Sequence, residues 1–253
     1  MDPLSRFRLD GRVAVLTGAS SGLGLGFARA LAAAGADLAL LARRVERLDA
    51  LAGEVRATGR RVVTHGTDVA DPAQCREAVE ACVDEFGRID VLVNNAGVGR
   101  AVPSSRERPE DFTETLQVNL TGPFQMAQAC APHMPPGSAI VNVASVLGHI
   151  APRFPQAAYA ASKAGLLGLT RDLAQEWSGR KGIRVNALCP GYFASEMTAE
   201  GDRELREMVS THSILGRFGE QAELDAALLF LASPASSYVT GTSLLVDGGM
   251  AAL

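Results

Sequence analysis

The sequence predicts an α/β fold built on a doubly wound, seven-stranded parallel sheet with helices on both faces. Two observations carry that expectation. Seven short runs are continuously apolar, the pattern of strands covered on both faces, rather than alternating. Longer stretches with helical periodicity lie between them, and right-handed crossovers then wind the sheet outward in both directions. A chain of 253 residues can bury roughly 75% of its unfolded surface. No linker, repeat or low-complexity stretch divides it.

In chain order, "RVAVLTG" (12–18) is the first strand, followed by a helix through "GLGLGFARALAAAG" (22–35). "DLALLA" (37–42) is the second strand, and residues 44–59 are amphipathic at helical period. The third strand is "RVVTHGTDV" (61–69); the helix after it (71–87) has an Asp cap, Pro at its first position and a closing Gly. "IDVLVNNAG" (89–97) is the fourth strand, and residues 110–134 are predicted to form one long helix. "SAIVNVAS" (138–145), "RVNALCPG" (184–191) and "TSLLVDGG" (242–249) complete the sheet. A long helix (159–177) and helical patterns at about 202–211 and 220–232 separate these last strands.

Composition narrows the class of function. The net charge of −4, with both signs spread along the chain, argues against nucleic acid as a partner. The N-terminus "MDPLSRFRLDGR" has no apolar signal segment, and no apolar run approaches the roughly 20 residues of a membrane span. Cys75, Cys82, Cys130 and Cys189 have no CxxC spacing, so neither a metal site nor a disulfide framework is expected. A cytoplasmic protein with no membrane partner is the expectation.

The first strand runs into Thr17-Gly18-Ala19-Ser20-Ser21-Gly22-Leu23-Gly24. Glycines in a strand-to-helix turn let the backbone approach a ligand, and the helix N-terminus behind them suits a pyrophosphate. The same glycines could serve helix–strand packing alone; their place in the first βα turn favours a dinucleotide. At the end of the second strand, Ala42 stands where NAD sites carry an acid for the ribose 2′-OH, and Arg43 and Arg44 follow. A planar guanidinium suits a 2′-phosphate, so NADP(H) is expected over NAD(H), with Arg43 reading the phosphate. Arg44 is more readily a solvated residue at the start of a helix.

The glycine turn, "NNAG" at 94–97, Asn119, Ser145 and YxxxK at 159–163 occur in one order on this alternating pattern. Together they resemble the classical short-chain dehydrogenase/reductase (SDR) family, from Gly11 to the C-terminal "DGG" at 247–249. The resemblance implies one Rossmann-type dinucleotide-binding domain over residues 1–253, with a substrate-binding insert at about 192–218, and a homo-oligomer, tetramer or dimer. Tyr159 then corresponds to the acid/base that exchanges a proton with the substrate oxygen. Lys163 corresponds to the residue that bonds the nicotinamide ribose and lowers the tyrosine's pKa. Ser145 matches the hydroxyl that binds the substrate carbonyl, and Asn119 the member that anchors a relay water. Gly18, Ser20, Ser21, Gly22, Leu23 and Gly24 match the pyrophosphate turn. Asp68 and Val69 match the adenine contacts, Asn95, Ala96 and Gly97 the adenine-ribose side, and Pro190, Gly191 and Ser195 the nicotinamide side. Without the other motifs, Ser145 would be read as a cap and Asn119 as a structural helix residue.

Three departures from the family pattern stand out. Ser145 precedes Tyr159 by one residue more than is usual. Ser195 replaces the usual threonine, and Ser21 stands where many NADP-dependent members have a basic residue.

The tyrosine–lysine spacing makes independent physical sense. A phenol titrates at about 10, too high for proton exchange at neutral pH. A cation four residues away on one helix face, at about 4–5 Å and an effective dielectric near 20, is worth roughly 3–4 kcal/mol, which would bring it to around 7.

The substrate pocket is expected from Val98–Ala101, 146–154 and 192 to about 208, where Leu147, Ile150, Phe154, Tyr192, Phe193 and Met197 make it mostly apolar, with His149 and Arg153 as polar candidates. A hydrophobic ketone or secondary alcohol is the expected small-molecule substrate. The alternatives within the family are a 3-oxoacyl-(acyl carrier protein) reductase, for which Arg100, Arg106 and Arg108 are the candidate basic patch, and a polyol or sugar dehydrogenase. A non-catalytic nucleotide-sensing module is the alternative outside enzymes, and would be expected to lack the tyrosine or the lysine.

Overall fold

Each apolar run forms a strand: β1 (Val13–Thr17), β2 (Asp37–Ala42), β3 (Val62–Gly66), β4 (Val91–Asn94), β5 (Ala139–Val143), β6 (Arg184–Pro190) and β7 (Ser243–Val246). They make one sheet in the order β3-β2-β1-β4-β5-β6-β7, with every neighbouring pair parallel. The structure is a computed structural model and describes residues 2–151, 154–193 and 203–253. Winding proceeds outward from β1 to β3, then returns through β4 to β7. That reversal opens a crevice at the carboxyl ends of β1 and β4.

Alternate residues of each strand face opposite layers, and both layers are apolar. Ala14, Leu16, Leu38 and Leu40 pack under α1 (Leu23–Ala33), α2 (Leu48–Ala57) and α8 (Gln221–Ala232), with Phe27, Leu51 and Leu228 among the facing side chains. Val13, Val15, Ala39 and Leu92 pack under the other face, against Val79 of α3 (Pro72–Phe86), Met126 of α5 (Gly122–Cys130) and Trp177 of α6 (Ala157–Lys181). The predicted Asp71 cap accepts from Ala73 and Gln74 N–H, and Gly87 closes α3 at φ 76°. All four cysteines are buried free thiols. Among the described residues no helix is long and apolar enough to cross a membrane.

Three elements depart from the sequence expectation. The helix expected over 44–59 begins as a 3-10 turn (Val45–Arg47), which leaves Arg44 ahead of it. Helix α6 starts before Tyr159, at Ala157, and runs 25 residues to a Gly182 cap. The single helix expected over 110–134 is broken into α4 (Pro109–Leu116), a π-helical turn (Gln117–Thr121), α5 and a 3-10 turn (Ala131–His133). The cause is legible in hindsight at Pro123. It lies four residues beyond Asn119 and has no N–H to close the α-helical bond to the Asn119 carbonyl. Gly122 N–H bonds instead to the carbonyl of Gln117, one residue further back than in an α-helix. Helix α7 (Arg203–His212) follows residues outside the described set.

Candidate active site

The crevice at the switch point is a cavity of about 570 Å³. One end is lined by Gly18, Ser20, Ser21, Gly22, Leu23, Arg43, Arg44, Asp68 and Val69, the other by Ser145, Tyr159, Lys163, Pro190 and Gly191, with Asn95, Ala96 and Gly97 between. Two of the predicted catalytic and cofactor-binding residues stand outside its lining. Gly24 serves packing: a Cβ there would lie 2.3 Å from the Gly18 carbonyl oxygen. Asn119 acts from behind the wall. Ser195, Met197 and Arg153 lie outside the described residues.

Gly18 and Gly22 take φ values of 65° and 55°, which side chains rarely adopt, so the turn needs glycine twice. A Cβ at Gly18 would also meet Ala96 Cα at 2.8 Å, while one at Gly22 would meet nothing within 4 Å. Gly22 caps α1 with no side chain over the first N–H groups. This donor set fits a pyrophosphate. Asn95 holds the turn from across the crevice, donating through Nδ2 to the carbonyls of Thr17 and Gly18 at 3.0 and 3.1 Å.

Arg43 and Arg44 are both exposed on the cavity rim. Arg44 is not directed wholly to solvent, as its sequence position suggested; its Nη2 lies 3.4 Å from Ser21 Oγ, so it spans the glycine turn. Among the described residues neither arginine pairs with a carboxylate.

At the other end, Tyr159 and Lys163 share one face of α6 beside Ser145. Ser145 Oγ accepts from Leu147 N–H at 3.1 Å, so the serine is a cap as well as a neighbour of the phenol, whose pKa its hydroxyl lowers. The phenol's pKa is raised, not lowered to around 7 as expected. Burial pushes Tyr159 up; the Ser145 hydrogen bond pulls it down, and nearby Tyr192 raises it further. Lys163 Nζ lies 5.6 Å from the ring centroid and donates to the Val143 carbonyl at 2.7 Å. Burial lowers its own pKa to about 8. The sequence argument took an effective dielectric near 20, whereas Lys163 is buried, Tyr159 is partly buried, and desolvation is the largest cause acting on each.

Asn119 also differs from expectation. Its side chain clamps Val98, with Oδ1 accepting from Val98 N–H and Nδ2 donating to Val98 O, each at 2.8 Å, and Nδ2 also reaches Ser162 Oγ at 3.0 Å. The side chain is thus committed to Val98 and Ser162, and Pro123 offers no α-helical donor to the main-chain carbonyl. The clamped segment passes directly over the phenol, where a Cβ at Gly99 would lie 2.9 Å from Tyr159 Cδ2. Gly191 is held by the C-terminal motif; a Cβ there would meet Asp247 Cα at 2.7 Å.

Sequence reasoning missed a buried polar ladder behind the site. Asn94 Nδ2 donates to Asn142 Oδ1 at 2.9 Å and to the Pro123 carbonyl at 3.2 Å, and Asn142 Nδ2 donates to Thr170 Oγ1 at 2.9 Å. It ties the π-turn region, β4, β5 and α6 together. The available signal was the pair of asparagines interrupting apolar runs, which are directly opposed in the β4–β5 register.

The substrate side is lined by Val98, Gly99, Arg100, Ala101, Val146, Leu147, Gln156, Tyr192 and Phe193. Ile150 and Phe154 pack behind it on the Val146–Leu147–Met208 cluster. His149 does not line the cavity; its Nε2 lies 3.6 Å from Cys189 Sγ. The candidate basic patch is largely neutralised. Arg100 bonds Asp111 and Glu114, and Arg108 lies 3.6 and 3.5 Å from Glu110 and Asp111.

Residues 18–251 match the protein family described as enoyl-(acyl carrier protein) reductase. The chain is 44% identical over 257 residues to galactitol 2-dehydrogenase (L-tagatose-forming) of Cereibacter sphaeroides, covering 98% of each protein. It is 42% identical over 245 residues to a 3-oxoacyl-(acyl-carrier-protein) reductase of Thermotoga maritima, covering 96% of this chain and 99% of the relative. Its fold matches a gluconate 5-dehydrogenase of Burkholderia cenocepacia, solved in complex with NADP and tartrate, with a TM-score of 0.93 at 39% identity over 100% of both chains.

Proposed function

This chain belongs to the short-chain dehydrogenase/reductase family, and on that premise we propose that it is an NADP(H)-dependent oxidoreductase interconverting a ketone and a secondary alcohol. The observation that carries this reading is one cavity with an open glycine turn and two guanidiniums, unpaired among the described residues, at one end, and Tyr159, Ser145 and Lys163 at the other. The uncapped first turn of α1 suits the pyrophosphate, and Arg43 with Arg44 suits a 2′-phosphate that Ala42 neither repels nor replaces. When bound, a nicotinamide supplies the carbon that donates or accepts hydride.

The proton belongs to this chain. In reduction, Tyr159 Oη–H delivers it to the substrate oxygen, and the Ser145 hydroxyl donates a hydrogen bond to that same oxygen. The raised pKa of the phenol keeps it protonated at neutral pH, the state an acid needs. Lys163, charged below about pH 8, stabilises the phenolate left behind and, through the Asn119 main-chain carbonyl and a water, offers a path for reprotonation. In oxidation the same groups run in reverse.

A small diffusible substrate is favoured over a carrier-bound one, because Arg100, the candidate arginine that lines the cavity, is bonded to Asp111 and Glu114, and Arg108 is paired with Glu110 and Asp111. Exposed Ile214, Leu215 and the edge-strand residue Leu245 give the expected homo-oligomer an apolar surface to cover.

The test is NADPH consumption with a panel of ketones, keto-sugars and 3-oxoacyl thioesters, in wild type and Tyr159→Phe. The variant is expected to fold, bind cofactor and lose about 10²–10⁴-fold in kcat. Retention of more than about a tenth of the activity would refute the acid/base role.

A further inference from the structure

The cavity holds two polar side chains that this reaction leaves unused. Gln156 caps α6 through its main chain alone: its carbonyl accepts from Ala160 N–H at 2.9 Å, and its side-chain amide caps nothing. Tyr192 follows the Pro190-Gly191 turn. Its carbonyl accepts from Gly219 N–H at 3.0 Å, and its side chain, like that of Tyr159, packs against the Val146–Leu147–Met208 cluster.

Among the described residues neither the Gln156 amide nor the Tyr192 hydroxyl has a hydrogen-bond partner, although no fully buried side-chain polar atom there lacks one. Both residues line the same cavity as Ser145 and Tyr159. The two phenols are close enough that charge on Tyr192 disfavours charge on Tyr159. Among the described residues the surrounding wall is otherwise apolar, from Val98, Ala101, Val146 and Leu147, and the guanidinium on it, that of Arg100, is tied to α4.

An amide and a phenol opening onto such a pocket are desolvated without compensation when a hydrocarbon substituent fills it, and they are satisfied by a ligand oxygen. Resting on the oxidoreductase reading above, we infer that Gln156 and Tyr192 bind a second oxygen of the substrate, so that the preferred ketone carries a hydroxyl or carbonyl one or two carbons from the reacting carbon. Apolar side chains alone had suggested a plain hydrocarbon ketone. Two sources share this chemistry: a hydroxyketone, whose second oxygen both donates and accepts, and a 3-oxo ester, whose second oxygen only accepts. Tyr192 can donate to either, while only a hydroxyl can also use the Gln156 carbonyl oxygen.

The experiment measures kcat/KM with saturating NADPH for an alkyl ketone, a hydroxyketone and a 3-oxo ester of equal carbon count. It compares wild type, Tyr192→Phe, Gln156→Leu and, as a control at a fully exposed phenol, Tyr238→Phe. Wild type is expected to prefer an oxygenated ketone over the alkyl ketone by about tenfold or more, and each pocket variant to cut that ratio by about 3- to 10-fold, with Tyr238→Phe leaving it in place. A larger loss for the hydroxyketone than for the ester in Gln156→Leu identifies the hydroxyl as the source; equal losses identify the carbonyl. A wild type without preference, or a ratio untouched in both pocket variants, overturns this inference and leaves the oxidoreductase reading standing. A wild type that consumes none of the three with either coenzyme overturns both.

Discussion

Burying the Lys163 ammonium beneath the strand ends brings its pKa from 10.5 to about 8. Between those values the unfolded chain holds a proton that the folded one has released. Stability therefore rises with pH across that window, and below about 8 the cost of the buried charge is fully present. Such a cost persists where a ligand offsets it, since hydroxyls that bond the ammonium favour its charged form. The free enzyme's kcat/KM for ketone reduction is accordingly expected to fall as pH rises through about 8, when the charge that stabilises the Tyr159 phenolate is lost. Lys163→Met should abolish that limb at a lower plateau; a pH–rate profile of both proteins decides it, and an identical limb in the variant would exclude the lysine as its source. Coenzyme choice is also a residue-scale matter. Because Arg44 reaches over Ser21, the 2′-phosphate is expected to be shared between two guanidiniums. Each charge-assisted bond is worth about 1.5–3 kcal/mol, so Arg43→Ala and Arg44→Ala should each lower the NADP/NAD ratio of kcat/KM by about tenfold or more. Retention of the full ratio by the double variant would remove both from the phosphate site.

The helix interrupted at residues 117–121 shows how an element can be right in kind and wrong in detail. Period-3.6 patterning survives one widened turn, so the apolar positions of residues 110–134 still read as one helix. Only the absence of an N–H at Pro123 betrays the π turn, and only the fold shows that it swings the Asn119 side chain onto Val98. At the other end of the sheet, Arg184 begins β6 as a buried guanidinium with no carboxylate partner among the described residues. It donates to the carbonyls of Leu231 and Ser233 at 3.1 and 3.0 Å and to Ser236 Oγ at 2.7 Å, tying the end of α8 to the sheet. Nothing in "RVNALCP" distinguishes this arginine from a solvated strand terminus. Arg184→Met would leave those acceptors buried and unpaired, and is expected to cost about 2–4 kcal/mol. Thermal unfolding should register a fall of about 5–15 °C, and a Tm within about 2 °C of wild type would show that the carbonyls find other donors.

Across the whole molecule, ligand binding and folding are linked because the cavity draws its walls from both halves of the sheet. A ligand that binds only the folded state stabilises it by about 2.7 kcal/mol at a hundred times its Kd. NADP is therefore expected to raise Tm by about 5–10 °C at that excess, and NAD at the same concentration by clearly less. Equal shifts would contradict the coenzyme assignment without touching the fold.

The sequence by itself determined the parallel sheet, its seven strands, the glycine turn and the order of Asn119, Ser145, Tyr159 and Lys163 along the chain. These depend on local patterns: apolar runs set strands, and positive φ demands glycine at Gly18 and Gly22. Tertiary structure alone decided what depends on neighbours distant in sequence. Burial raises the Tyr159 pKa, Arg44 leans over Ser21, carboxylates pair with Arg100 and Arg108, and among the described residues Gln156 and Tyr192 line the cavity with no hydrogen-bond partner for their side-chain polar groups. Desolvation and pairing are properties of the space around a side chain, and residues far apart in the chain fill that space.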